Sequence, residues 1–106
     1  SLNSYYYTAP ELELNHGYCD FFLLPDLTHY PTKHSYILEL KLIPKKEKGI
    51  SGKVHEELIA KQWQEAELQI KKYAEAPRVE ALRQETQLHR IIMQFDGWKL
   101  HRIEEV

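Results

Sequence analysis

Glu39 and Lys41 stand two apart in the run SYILELKLI, residues 35–43. A strand turns successive side chains to opposite faces, so this pair projects together into one space. If the run around Tyr18 is the antiparallel neighbour, Asp20 joins them on that face, and Glu13 on the run before can add a further carboxylate. Carboxylates grouped in this way suit Mg2+, or Mn2+ in its place, with the carbonyl oxygen of Leu40 close enough to be another ligand. A cation held there acidifies a water and stabilises charge developing on phosphorus. The amine of Lys41 can orient or help deprotonate that water, or place positive charge beside the transition state. Taken alone, Glu-x-Lys also describes the wet face of any half-buried strand. Two features argue against that reading here. Ile37 and Ile43 flank the pair on the same face, and Asp20 stands on a separate run, three residues after Gly17.

The elements that must hold these residues are legible as changes of period. Residues 4–14 end in the alternation Glu11-Leu12-Glu13-Leu14, a first strand. Asn15-His16-Gly17 is turn chemistry, and YCDFFLL is a second strand stopped by Pro25. Residues 25–34, with Pro31 among them, form a loop before SYILELKLI, the third strand, which Pro44 ends. From Val54 to Ala76 the period becomes 3.6, with Ile59, Trp63, Ala66, Ile70 and Tyr73 on one stripe, so a helix follows and Pro77 closes it. Residues 78–87 read as a helical turn or a loop. LHRIIMQF and WKLHRIEEV flank Asp96-Gly97, a hairpin signal. The expected order is β-β-β-α-β-β in an α/β (α+β) domain.

The 106 residues, 42% hydrophobic, suffice for one core, so residues 1–106 are read as a single domain. A net charge of -2 lacks the basic footprint of a dedicated nucleic-acid binder. The longest cationic stretch runs from Lys41 through Lys45, Lys46 and Lys48 to Lys53, with Glu47 its only acid, a solvated loop that can also meet phosphate. One cysteine excludes an internal disulfide framework and a four-cysteine zinc site. With no apolar leader or membrane-length apolar run, a soluble, cytoplasmic protein is expected. The start at Ser1 suggests a fragment of something longer.

The series Glu13, Gly17-Tyr18-Cys19-Asp20, Leu38-Glu39-Leu40-Lys41 and Gln69-Ile70-Lys71-Lys72-Tyr73 resembles the PD-(D/E)XK nuclease superfamily. More narrowly it resembles the carboxy-terminal nuclease-like domain of bacterial proteins that carry an AAA-type ATPase-like domain upstream, and RIIMQFDGWKLHRIEEV looks like that group's ending. The resemblance implies a restriction-endonuclease-like mixed sheet flanked by helices, with Asp20 and Glu39 as metal ligands and Lys41 as the catalytic lysine. Glu13 becomes an accessory acid, preferred over Glu11 by its spacing to Asp20. Gln69 becomes the glutamine of the helix beside the site, a role that its own setting at the edge of the apolar stripe does not indicate. Two departures stand out: the helix that usually opens the core is missing, and Tyr18 occupies a position where an arginine is common.

Six histidines, His16, His29, His34, His55, His89 and His101, show neither H-x-H nor H-E-x-x-H spacing and are set aside as a zinc site. Cys19 alternates away from Asp20 and reads as a buried thiol. Trp63 and Tyr73 read as core rather than as platforms for bases. Three function classes remain. The first is metal-dependent hydrolysis of nucleic acid, DNA before RNA. The second is an inactive nuclease-fold module that binds or regulates beside an ATPase-like domain. The third is an α/β domain whose Glu39 and Lys41 merely face water. Oligomeric state is left open.

Overall fold

The computed structural model describes the backbone of residues 6–14 and 17–25, and backbone and side chains of residues 33–106. Five strands form one sheet in the order β1-β2-β3-β4-β5. They are β1 (Tyr6–Leu14), β2 (Gly17–Pro25), β3 (His34–Leu42), β4 (Gln87–Asp96) and β5 (Lys99–Glu105). β1, β2 and β3 pair antiparallel in sequence, whereas β3 and β4 run parallel. A parallel pair needs a long crossover. Here it is made by α1 (Gly52–Ala74) and α2 (Pro77–Arg83). Pro10 lies inside β1, where an edge strand tolerates its missing N–H.

Helix α1 starts where Ser51, in extended conformation, accepts a hydrogen bond from the Val54 N–H at 3.1 Å. It buries Trp63, Ala66, Ile70 and Tyr73 against Ile37 and Ile92 of the sheet, with Ala76 and Val79 completing the core. Pro77 does more than close the first helix. It opens α2, where its fixed φ suits the first turn and its absent N–H costs nothing. The observed order is therefore β-β-β-α-α-β-β, one short helix more than periodicity indicates, because seven residues carry too few apolar positions to set a period.

The hairpin between β4 and β5 also differs from expectation. Asp96 pairs with Lys99, so the two turn residues are Gly97 and Trp98 rather than Asp96 and Gly97. Gly97 has φ 58°, and no other described residue of this turn has a positive φ. Glycine at the first of two central positions is the requirement of a type II′ turn, which matches strand twist. A bulge follows, since the register shifts between Gln94 and Phe95.

The two sheet faces are unequal. Helix α1 covers the face bearing Ser35, Ile37, Glu39, Ile92 and Gln94, all buried. On the other face Tyr36, Leu38, Leu40, Ile91, Met93 and Phe95 are half-buried, and Leu42 and Ile103 are exposed. No described element packs there. No described helix is long and apolar enough to cross a membrane.

Candidate active site

Glu39 sits in the middle of the central strand, on the face under α1, and only 2% of it is exposed. Ile37 and Ile43, on the same face, are buried at 0% and 5%. The pair Glu39 and Lys41 thus rises from an apolar floor, and the reading of Glu39 and Lys41 as a wet strand face is overturned. A solvated face would leave the carboxylate in water.

Lys41 is the less buried partner. Its Nζ lies 3.6 Å from Glu39 Oε1, with 28% of the side chain exposed. The same amine donates to Gln69 Oε1 at 3.3 Å, and Gln69 Nε2 in turn donates to the buried Tyr73 hydroxyl at 2.5 Å. Gln69 and Tyr73 are four apart on α1, so one helix face presents both. Spacing placed Gln69 at the edge of an apolar stripe. That edge is where a polar side chain can reach past the core to the strand below.

A second amide network went unnoticed in the sequence. Gln94, the register partner of Lys41 on β4, is 1% exposed. Its Nε2 donates to the Ile59 carbonyl at 3.0 Å and to Gln62 Oε1 at 2.9 Å. Gln62 then donates to the Leu42 carbonyl at 3.0 Å. These bonds pin α1 over the end of β3 that carries Lys41. The available signal was a lone glutamine inside the apolar run RIIMQF, since a buried amide must find partners.

Asp20 is placed by register. Phe21 pairs with Leu38 and Phe22 with Ile37, and the same register carried one residue further brings Asp20 level with Glu39. Across β1, the pairs Pro10 with Phe21 and Leu12 with Cys19 bracket Glu11 against Asp20, while Glu13 pairs with Tyr18. Positions 11, 13, 20 and 39 therefore share one sheet face, with Glu11 at the level of Asp20 and Glu13 diagonal to it. The side chains of Glu11, Glu13 and Asp20 lie outside the described residues. Among the described residues no group of three or more His, Cys, Asp or Glu side chains could hold a metal ion.

An acid on β2, an acid and a lysine on β3, and a helix glutamine on the lysine form an ordered series from position 20 to position 69. A family model described as the PD-(D/E)XK nuclease superfamily matches residues 1–105. The chain belongs to that superfamily. No curated protein and no solved structure matches it significantly. The mixed sheet with its two helices is compatible with a restriction-endonuclease-like fold, and Glu39 and Lys41 stand on its central strand. The superfamily generally uses divalent metal ions, and carboxylates such as those at positions 20 and 39 are the donor chemistry that a hard cation takes.

Of the remaining residues set aside in the sequence, Trp63 and Tyr73 are each 2% exposed and belong to the core. Cys19 stands on β2 opposite Leu12, with its side chain outside the described residues. Trp63 is closed over by the guanidinium of Arg102, 3.9 Å from the ring centroid, which leaves no face for a base.

Proposed function

We propose that this PD-(D/E)XK chain hydrolyses phosphodiester bonds of nucleic acid, DNA in preference to RNA, with Mg2+ or Mn2+. The observation that carries the reading is the burial of Glu39 beside Lys41. A carboxylate taken out of water costs several kcal/mol unless it is paired and hydrogen-bonded. Glu39 Oε1 lies 3.6 Å from the Lys41 amine, whose side chain is 28% exposed. Retaining the charge there is intelligible as ligand chemistry.

Asp20, Glu39 and the Leu40 carbonyl oxygen hold the cation in this proposal, with Glu13 as accessory acid. When bound, the cation supplies an acidified water and offsets charge at phosphorus. Lys41 directs its amine toward the attacking water and stands beside the charge that develops. Gln69 keeps that amine in place and the Tyr73 hydroxyl holds Gln69. The exposed Lys45, Lys46 and Lys48 follow β3 directly, at the end where Lys41 lies, and offer phosphate contacts for a longer strand. The upstream ATPase-like domain suggested by the sequence would deliver or gate that strand.

The test is a Mn2+ titration of the chain and of Asp20→Ala, Glu39→Ala and Lys41→Ala, followed by cleavage of single- and double-stranded DNA and of RNA. Both carboxylate variants should lose metal binding and cleavage. Lys41→Ala should bind metal and cut at least a hundredfold more slowly. Absence of both binding and cleavage in the parent chain would sink the catalytic reading and favour a nuclease fold kept for binding.

A further inference from the structure

Histidines that show no metal-site spacing along the chain meet on the sheet. His34 opens β3 and His89 stands on β4, and parallel pairing brings them together on the face away from α1. His34 Nδ1 and His89 Nε2 lie 2.7 Å apart. The far nitrogen of His89, Nδ1, bonds to the carboxylate of Glu105 on β5. Tyr36, the register partner of His89, stacks on its ring with centroids 4.9 Å apart and planes tilted by 21°. A carboxylate on one imidazole nitrogen fixes the proton there and leaves a lone pair on the other. The ring is thus held in tautomer and in plane, with the Nε2 lone pair aimed at His34 Nδ1.

We propose that His34 Nδ1 and His89 Nε2 form a two-nitrogen site for a divalent transition cation of the zinc or copper class, with Glu105 as the carboxylate orienting His89. Cis nitrogens at metal distances of roughly 2.0–2.1 Å are separated by about 2.9–3.4 Å. The present gap opens to that range by a small swing of His34, whose ring is exposed. His34 meets the cation through Nδ1 when its ring carries the proton on Nε2, a tautomer reached by exchange through solvent. Imidazole nitrogen selects zinc or copper over magnesium. The site also stands apart from Glu39: it lies on the opposite face and five residues back along β3, roughly 17 Å at strand rise. A cation here joins β3 to β4 directly and reaches β5 through Glu105, so binding should stabilise the sheet.

Calorimetric titration of the untagged chain with Zn2+, paired with thermal melts, tests this directly. One Zn2+ equivalent should bind and raise Tm, and His34→Ala and His89→Ala should each abolish it. Glu105→Gln should weaken it by about ten- to a hundredfold. Electron paramagnetic resonance with Cu2+ should show coupling to two imidazole nitrogens, reduced to one in His34→Ala. Zn2+ binding that is equal in the parent chain and in His34→Ala would overturn the proposal, and the exposed position of His34 keeps that arm valid if His89→Ala fails to fold. Glu39→Ala separates the two sites. It should keep the histidine-dependent equivalent whether or not the carboxylate site binds Mn2+.

Discussion

Lys41 of the central strand donates to Gln69 of the covering helix at 3.3 Å, so the cation of the motif is aimed by a residue from another element. Strand geometry alone would leave a lysine free to sample solvent, and side-chain entropy favours that. The helix amide supplies an acceptor on one side and Glu39 supplies charge on the other.

Gln69→Ala should therefore slow cleavage while metal affinity stays unchanged. A hydrogen bond to a charged group contributes about 1.5–3 kcal/mol, or roughly ten- to a hundredfold in rate if it serves only to place the amine. Single-turnover rates measured alongside Mn2+ affinity distinguish this from a folding defect. Equal rates for Gln69→Ala and the parent chain would remove Gln69 from the site.

Glu39→Gln should separate stability from activity. The amide keeps the shape and sheds the buried charge, so the variant should melt at or above the parent temperature while losing cleavage. Thermal melts and a cleavage assay on one preparation give both readings. A large loss of stability would show that the carboxylate is retained for structure.

Trp63→Ala should destabilise by about 3–5 kcal/mol, the usual cost of emptying a large core site. Chemical denaturation reads it. Nucleic-acid affinity of the folded fraction should not change, because Arg102 and the sheet already cover the ring.

Gly97→Ala should cost about 1 kcal/mol, entirely through backbone conformation. A Cβ there meets no atom within 4 Å, so sterics add nothing beyond the positive φ. A denaturation midpoint that does not move would mean the turn relaxes to another type.

Periodicity was a good guide where elements are long. The alternation of SYILELKLI and the 3.6-residue stripe of α1 each fix which side chains face the core, and both agree with the burial of Ile37, Trp63, Ala66, Ile70 and Tyr73. It left α2 open between a helical turn and a loop, because its seven residues hold a single fully buried side chain, Val79. It also misjudged the hairpin by one position, since Asp-Gly and Gly-Trp are both acceptable centres and only the pairing of Asp96 with Lys99 decides. The motif residues Glu39 and Lys41 were visible because they are local, two apart on one strand. The partners of Gln94, and the meeting of His34 with His89, were invisible because they depend on the parallel register of strands joined through two helices.

That register also sets the order in which the molecule can come into being. The antiparallel meander can close from neighbouring segments, but β3 gains its second neighbour only after both helices and β4 have been made, and such distant closure is slow. During synthesis Glu39 therefore has β2 beside it long before Ile92 arrives on the other side. A nascent chain holds Glu39 and Lys41 before the amide network of Gln94 that pins the helix over them can form, so the proposed site is assembled only once β4 has been made.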